Sequence, residues 1–235
     1  FVFLCVPTPQ GEDGSADLSY VESAATEIGP VVPAQAVVIN KSTVPVGSTR
    51  VVEAAMGRSD VYVVSNPEFL REGSAVYDCL NPDRIVIGSV HQEAAIRVSQ
   101  LFTKLQAPLI ITDPASAETI KYASNAFLAT KISFINAMAN VCEAVGADIR
   151  EVSLGMGYDK RIGFEFLKPG PGWGGSCFPK DSRALIHIAE EAGYDFGLLK
   201  GVVTVNNQQY DLIAGKIRDA VGGSLDGKTV GVWGL

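Results

Sequence analysis

Phe1-Val2-Phe3-Leu4-Cys5-Val6 is a continuous apolar run, and Pro7-Thr8-Pro9 ends it. A strand without polar alternation is typical of a parallel sheet that is covered on both faces. We therefore predict that residues 1–6 form a buried strand. Ligands bind at the carboxyl ends of the strands in such sheets, so the polar segment after this strand is predicted to lie at a binding edge.

The same pattern returns along the first half of the chain. Apolar runs at residues 36–40, 61–64, 84–87 and 109–112 are separated by predicted helices at about 18–28, 48–56 and 92–105. Strands that alternate with helices at this spacing predict βαβ units and a largely parallel sheet. The polar segments 7–9, 41–43 and 66–72 are then expected to line one edge of that sheet.

The second half of the chain is helical. Residues 116–145 contain neither glycine nor proline, and their centre is apolar on most faces, which predicts a long buried helix ending at Gly146. Further helices are predicted at about 149–155, 182–192 and 197–221, and a new strand from Thr229. The predicted domains are an α/β domain over 1–113, a helical domain over 114–224 and the first strand of a third domain over 225–235.

Composition excludes several classes of function. The net charge of -7 provides no basic stripe for nucleic acid. No apolar run approaches the roughly 20 residues that span a bilayer, and no signal peptide is recognisable. The four dispersed cysteines and two histidines argue against structural zinc. The dispersed cysteines predict reduced thiols in the cytoplasm. The chain starts without methionine inside one apolar run and ends inside another, so we expect a segment of a larger protein that lacks both ends.

One glycine-rich segment carries a thiol: Gly170-Pro171-Gly172-Trp173-Gly174-Gly175-Ser176-Cys177-Phe178-Pro179-Lys180-Asp181. Asp181 opens an apolar-periodic run, as a helix N-cap or first-turn residue does. Cys177 would then lie on a tight loop just ahead of a helix N-terminus, where positive partial charge and the nearby Lys180 favour the thiolate. The alternative is a small buried cysteine in a glycine turn.

Two polar pairs have helical spacing. Lys121 and Asn125 share a face of the long helix, either as a solvated first turn or as donors to an oxyanion or a substrate hydroxyl. Glu68 and Glu72 lie in a predicted short helix that begins at Asn66; first-turn preferences explain Glu68 but not Glu72, which could be a general base. Thr43 could hold a water or a ribose, or could cap the next turn.

Other catalytic arrangements have less support. No serine–histidine–acid set is apparent, so a cysteine hydrolase built on Cys177 lacks its base. The glycine fingerprint GxGxxG of dinucleotide-binding domains is absent from the sequence.

Taken together, the segments resemble the UDP-glucose/GDP-mannose dehydrogenase family over essentially the whole chain. The resemblance lies in five motifs in family order: VPTP (6–9) with DGSAD (13–17), KSTVPVG (41–47), SNPEFLREG (65–73), Lys121 with Asn125, and GGSCFPKD (174–181). It implies an α/β fold: the second half of a Rossmann-like, parallel-sheet NAD-binding domain, then a helical central domain like that of 6-phosphogluconate dehydrogenase.

The resemblance also implies a reaction, two successive NAD-dependent oxidations of the sugar C6 alcohol that convert UDP-glucose into UDP-glucuronate. Cys177 matches the nucleophile, which forms a thiohemiacetal and then a thioester. The other catalytic positions are Lys121 and Asn125 for the oxyanion, Asp181 and Thr43 for the water, Glu72 for proton transfer in hydrolysis, and Glu68 as a further acid/base.

Binding roles follow in the same way. Expected substrate contacts are Phe69, Leu70, Arg71, Phe166, Leu167, Lys168 and Gly174, with Arg161 reaching the partner's substrate in a homodimer formed through the helical core. Expected NAD contacts are Pro7, Thr8, Pro9, Thr43, Glu72 and Lys180. Trp173 stands where many relatives carry phenylalanine or tyrosine, so uridine-side packing is expected to differ slightly. Two alternatives stay open: GDP-mannose as the substrate, or a non-catalytic dimeric core.

Overall fold

A computed structural model describes residues 1–11 and 14–233. Asp13, in the DGSAD motif, lies outside the described residues. The chain forms two compact units: Phe1–Ala126 with Pro179–Asp195, and Phe127–Phe178 with Phe196–Leu235. The predicted domain limits at residues 113 and 224 stay a prediction.

The first unit contains all five predicted strands. Its elements are β1 (Val2–Leu4), α1 (Ser19–Ile28), β2 (Val37–Asn40), α2 (Ser48–Met56), β3 (Tyr62–Ser65), α3 (Ala75–Leu80), β4 (Ile85–Gly88), α4 (Gln92–Leu101), β5 (Leu109–Thr112), the first part of α5 (Pro114–Val145) and most of α7 (Phe178–Glu191). The short helix α3 was not predicted. Helix α7 begins at Phe178 rather than at residue 182.

The strands form one sheet in the order β1-β2-β3-β4-β5. The β1–β2, β2–β3 and β4–β5 pairs are parallel, whereas β3 and β4 pair antiparallel at Ser65 and Gly88. The connection between β3 and β4, residues 66–84, contains the six-residue helix α3 and otherwise turns and irregular backbone. The predicted largely parallel α/β sheet is confirmed, with this one reversal.

Both faces of β2 and β4 are buried, as their apolar runs predict. The prediction that residues 1–6 form a buried strand is wrong in part: β1 and β5 are the edge strands of the sheet, Phe3 is 44% exposed and most of β5 is exposed. In β2, Val38 packs with Val21 of α1 and Val52 of α2 on one face. Its neighbours Val37 and Ile39 pack on the other face with residues of β4 and α4, among them Ile87 and Val98. A strand that is buried on both sides places its carboxyl end, rather than either face, at the surface of the unit.

The second unit contains the rest of α5, then α6 (Ile149–Gly157) and α8 (Gly197–Ala220). Gly146 follows α5 with a φ of 76°, the left-handed conformation that the predicted C-cap requires. The strand predicted from Thr229 is wrong for residues 229–233, which have no regular secondary structure and are exposed. A strand needs a paired neighbour, and the described residues supply none there. Gly234 and Leu235 lie outside the described residues.

No helix among the described residues is long and apolar enough to cross a membrane. The four cysteines are free thiols. Within the same residues, no group of three or more His, Cys, Asp or Glu side chains is arranged to hold a metal ion.

Candidate active site

The polar segments that follow β1 and β2 meet at the carboxyl edge of the sheet. Thr8 is buried, and its hydroxyl donates to the carbonyl oxygen of Thr43 at 2.7 Å. The hydroxyl of Ser42 donates to the carbonyl oxygen of Val6 at 2.6 Å. These two bonds join residues 6–8 to residues 42–43, so the two segments meet as the sheet pattern predicts. Pro7 and Pro9 are exposed on either side of Thr8.

Lys41 connects the same edge to β3. Its Nζ donates to the Asn66 side-chain oxygen at 3.1 Å and to the Asn66 carbonyl oxygen at 3.3 Å. Burial lowers the pKa of Lys41. Beside it, Asn40 is 1 % exposed and neither polar atom of its side chain has a hydrogen-bond partner among the described residues. A buried amide without partners is rare and marks a place where a polar ligand atom or a water would be stabilised.

Glu68 forms an ion pair with Lys121. Lys121 Nζ lies 2.8 Å from Glu68 Oε1, and Glu68 Oε2 accepts the backbone N–H of Leu70 at 2.6 Å. The short helix predicted from Asn66 is therefore wrong: the Glu68 carboxylate is used by tertiary and turn contacts, and residues 66–71 are irregular. Lys121 is only 4 % exposed, so the solvated-turn interpretation is also wrong.

Asn125 binds a buried carboxylate. Its Nδ2 donates to Asp181 Oδ2 at 2.6 Å, and Lys180 Nζ lies 2.6 Å from Asp181 Oδ1. Asp181 has no exposed surface and lies in the first turn of α7, as predicted. A buried carboxylate is stable when each oxygen has a donor, and the amide and the ammonium provide one each.

The segment after Glu68 is held by two arginines. The Arg84 guanidinium lies 3.7 Å from the centre of the Phe69 ring, a cation–π contact. Arg71 forms an ion pair with Asp78 at 2.5 Å, which holds the pKa of that carboxyl well below its usual range. Leu70 and Glu72 are exposed. Of the predicted pair of glutamates, Glu68 is half-buried and pairs with Lys121.

Glu118 joins α5 to the start of α2, a role that the sequence did not reveal. Its carboxylate accepts the N–H of Gly47 at 2.7 Å, the N–H of Thr49 at 3.1 Å and the Thr49 hydroxyl at 2.8 Å. It is 2 % exposed, and burial raises its pKa. Glu118 satisfies these N–H groups at the start of α2, so α2 does not need Thr43 as the cap that was one of its two predicted roles.

In the second unit, Cys177 is exposed and directly precedes α7. The interpretation as a buried core cysteine is therefore wrong. Its Sγ lies 3.6 Å from the Ser176 hydroxyl oxygen. Of the other predicted contacts in this segment, Leu167 is buried, Phe166 is half-buried, and Lys168 and Gly174 are exposed.

The glycine-rich loop is bound by side chains of α5 and α8. Asn136 accepts the N–H of Gly170 at 2.8 Å, and Gln209 donates to the carbonyl of Gly170 at 2.9 Å. Asn206 accepts the N–H of Trp173 at 2.8 Å and donates to its carbonyl at 2.9 Å. The sequence signal for these residues is amides at helical spacing within apolar helices, which resembles the Lys121/Asn125 signal but was not singled out.

Trp173 itself is 5 % exposed, and its indole N–H donates to the Ser133 hydroxyl of α5 at 2.8 Å. Trp173 therefore has a role in the interior of the second unit, and the expectation that uridine-side packing differs slightly stays a prediction. Ser133 also donates to the carbonyl of Val202 at 3.1 Å, so it connects the loop, α5 and α8.

Two surface features complete the second unit. Arg161 is exposed and pairs with Asp159, with 2.6 Å between Nη2 and Oδ2. Large apolar side chains on α5 are exposed at intervals of seven and four residues: Phe127, Phe134, Val141 and Val145. This spacing places them along one face of the helix.

Comparison with protein-family models identifies both halves of the chain. Residues 1–106 match the NAD binding domain of the UDP-glucose/GDP-mannose dehydrogenase family, and residues 115–208 match the central domain of the same family.

Curated relatives match the whole chain. It is 51% identical over 239 residues to a UDP-glucose 6-dehydrogenase of Bacillus subtilis and 47% identical over 245 residues to one of Pseudomonas aeruginosa, and it covers 54% of each relative. The chain thus spans about half the length of the curated relatives it matches.

Solved structures agree with these matches. A UDP-glucose dehydrogenase from Pyrobaculum islandicum superimposes with a TM-score of 0.89 at 42% identity, over 94% of this chain and 53% of that one. A GDP-mannose dehydrogenase of Pseudomonas aeruginosa gives a TM-score of 0.65 at 33% identity, over 91% of this chain and 53% of that one.

Proposed function

Because the chain belongs to the UDP-glucose/GDP-mannose dehydrogenase family, we propose that the protein containing it is an NAD-dependent, cytoplasmic enzyme that oxidises UDP-glucose to UDP-glucuronate. The observation that carries the proposal is the exposed thiol of Cys177 at the start of α7, within the family's loop motif. The two oxidations together would remove four electrons from C6 of the sugar.

The carboxyl edge of the first unit suits the nicotinamide half of NAD. The Thr8–Thr43 bond, with Pro7 and Pro9 on either side, fixes this edge, and the orphaned Asn40 amide lies at the end of β2. Thr8, Thr43, Pro7 and Pro9 would hold the cofactor, with Lys180 and Glu72 as further contacts. When bound, NAD accepts one hydride in each of the two oxidations.

In the first oxidation, the C6 alcohol loses a hydride and its hydroxyl proton and becomes an aldehyde. Lys121 and Asn125 would stabilise the negative charge that develops on the oxygen, since both are buried donors. Glu68 holds the Lys121 ammonium in place through the 2.8 Å ion pair and can take up the proton as a base.

In the second oxidation, Cys177 would act as the nucleophile. Its thiolate adds to the aldehyde carbon, and the oxygen gains a proton, which yields a thiohemiacetal. Loss of a hydride from that carbon and of the hydroxyl proton yields a thioester. Covalent attachment matters because it keeps C6 in position and provides a C–H bond for the second hydride transfer.

Hydrolysis would complete the reaction. Water attacks the thioester carbon, the C–S bond breaks, Cys177 leaves as a thiolate, and the acid is released. Asp181 and Thr43 would position the water, and Glu72 would assist its deprotonation. The nucleotide-sugar would contact Phe69, Leu70 and Arg71 and, in the second unit, Phe166, Leu167, Lys168 and Gly174.

We also propose that two copies associate through α5. The support is the exposed apolar row of Phe127, Phe134, Val141 and Val145, of which Phe127 is 65% and Val145 72% exposed. Monomeric soluble proteins rarely expose contiguous apolar surface of this kind. Sedimentation of the chain should show a dimer; Phe134→Glu should yield monomers, and a chain that is already monomeric would contradict the proposal.

The main test uses Cys177→Ala in the complete protein. Acid formation should be abolished, because no thiohemiacetal can form. Slow oxidation of the alcohol to the aldehyde can continue, because that step does not use the sulfur. Cys5→Ala and Cys79→Ala are matched controls, since both remove an exposed free thiol and should leave the rate unchanged. Normal UDP-glucuronate production by Cys177→Ala would contradict the mechanism. In the unsubstituted protein, faster NADH formation with GDP-mannose than with UDP-glucose would favour the alternative substrate.

A second candidate function is a dimeric core that does not catalyse. It would need only the exposed apolar row on α5 and none of the catalytic residues. Calorimetry with NAD on the 235-residue chain tests this candidate: micromolar binding would count against it, and the activity of the complete protein is tested separately by the Cys177→Ala experiment.

A further inference from the structure

The amides that bind the glycine-rich loop have no part in the proposed reaction. On α8, Asn206, Gln209 and Tyr210 lie three and four residues apart and therefore share one face of the helix. Together with Asn136 of α5, they bind the N–H and C=O groups of Gly170 and Trp173. We call these four side chains the loop clamp.

Asn206 makes the central contact of the loop clamp. Its side-chain amide accepts the N–H of Trp173 and donates to the C=O of Trp173. The amide thus satisfies both peptide groups of Trp173, as a neighbouring strand would. The Tyr210 hydroxyl donates to the same carbonyl and accepts from Asn206 Nδ2 at 2.9 Å. Asn206 is 2 % exposed, so its bonds to Trp173 lie in the interior of the unit, where an unpaired peptide group is costly.

The loop clamp acts close to Cys177. Trp173 precedes Cys177 by four residues, and its ring meets the ring of Phe178, the next residue after Cys177, edge to face at 6.3 Å. Gly172 has a φ of 120°, and a Cβ there would lie 2.7 Å from Tyr210 and 2.9 Å from Asn206. The chain on both sides of the thiol is thus fixed, by the loop clamp before it and by a ring contact after it.

We propose that Asn206 is a positioning residue for Cys177, an inference that rests on the proposed role of Cys177 as nucleophile. By fixing the peptide groups of Trp173, it sets where the sulfur lies when an aldehyde arrives. Carbon–sulfur bond formation is sensitive to this placement, since a displacement of about 1 Å can cost roughly 100-fold in rate. Oxidation of the alcohol does not involve the sulfur and should be insensitive.

The test compares Asn206→Leu with Asn207→Leu in the complete protein. Both variants replace an amide on α8, but Asn207 is exposed. For Asn206→Leu, conversion of added nucleotide-sugar aldehyde into acid should fall by about 10- to 100-fold, while alcohol oxidation, measured with the aldehyde trapped by hydroxylamine, should change by less than about twofold. Asn206→Asp keeps the acceptor but loses the donor, so its rate of aldehyde-to-acid conversion should lie between those of the unsubstituted protein and Asn206→Leu. Equal loss in both steps, or equal loss in Asn207→Leu, would overturn the proposal.

A second measurement needs no activity. Iodoacetamide alkylation of the 235-residue chain, followed by peptide mass spectrometry, gives the rate for Cys177 relative to the exposed Cys5 and Cys79. Asn206→Leu should change this ratio by about threefold or more, and an unchanged ratio would overturn the proposal. Alkylation of the buried Cys142 would reveal unfolding, and Asn206→Asp then carries the test. If the unsubstituted protein forms no acid, the proposed function fails while this ratio still tests the loop clamp.

Discussion

The two units hold their functional groups by different physical means. In the first unit, Lys121 and Asn125 are fixed by carboxylates, those of Glu68 and Asp181. In the second, the loop that carries Cys177 is fixed by neutral amides and a hydroxyl. Hydrogen bonds to ionised groups are about twice as strong as neutral ones, and they change with protonation, whereas the neutral ones depend on geometry alone.

The difference follows from what each unit has to hold. A buried ammonium needs a counter-charge, because burial without one is costly. A backbone segment needs its peptide groups satisfied, and an amide side chain provides a donor and an acceptor at once. We therefore expect substitutions in the first unit to have effects that depend on charge and pH, and substitutions in the second to have effects that depend on shape.

The largest expected effect on stability is that of Asn125→Leu. The change leaves Asp181, which has no exposed surface, with one donor instead of two. We expect the free energy of unfolding to fall by about 2–3 kcal/mol, the range for a hydrogen bond to a buried charged group. Urea denaturation followed by circular dichroism measures it, with the exposed Asn207→Leu as the control. Equal midpoints for the two variants would show that the carboxylate does not need the amide.

A pair of glycine substitutions tests shape in the second unit. Gly172→Ala places a Cβ against Tyr210 and Asn206 and puts alanine at a φ of 120°. It should lower the free energy of unfolding by about 1–2 kcal/mol. Gly174→Ala is the matched control, because its Cβ would meet only the Tyr210 hydroxyl, at an ordinary 3.9 Å. The same denaturation experiment, repeated at two pH values, should give the same loss for Gly172→Ala, since no titrating group is involved.

Glu118→Gln tests charge in the first unit and should cost about 1 kcal/mol near neutral pH. Burial raises the folded-state pKa of Glu118 above its usual 4.5, so the folded protein holds this proton more tightly than the unfolded chain. The tighter protonation of Glu118 in the folded state therefore contributes to the free energy of unfolding. This contribution is complete below pH 4.5 and is lost as pH rises through the raised pKa of Glu118. The advantage of wild type over Glu118→Gln should therefore shrink over that window, and an advantage that grows with pH would contradict this sign.

The sequence was sufficient for the five strands of the sheet, but not for the antiparallel β3–β4 pair or for the exposure of β5. Continuous apolar strands such as 36–40 predict burial on both faces, and Val37 and Val38 do pack on opposite sides. The predicted helix at 66–72 failed because the local preferences of Asn66 and Pro67 are weaker than the ion pair between Glu68 and Lys121. Propensity counts only neighbours along the chain, and the partner of Glu68 lies 53 residues away.

The loop clamp and Glu118 were missed for a related reason. A glutamate or asparagine in a helix is usually exposed, so nothing in its immediate sequence reveals burial. Glu118 lies one turn before Lys121 on α5, and Asn206 lies one turn before Tyr210 on α8. Polar residues that recur on one face of a mostly apolar helix are the signal that could have found both sets.

The smallest effect on stability, and the sharpest test of the dimer, is expected for Arg161→Ala. Arg161 pairs with Asp159 on the surface of the second unit, just as Arg150 pairs with Asp148; the arginine side chains are 88% and 85% exposed. Exposed ion pairs add little to stability, so Arg161→Ala and Arg150→Ala should both leave the Tm unchanged. If Arg161 reaches the partner's substrate, only Arg161→Ala should lower kcat/KM for UDP-glucose in the complete protein while sedimentation still shows a dimer. Equal kcat/KM for the two variants would remove Arg161 from the site and leave α5 as the sole support for a functional dimer.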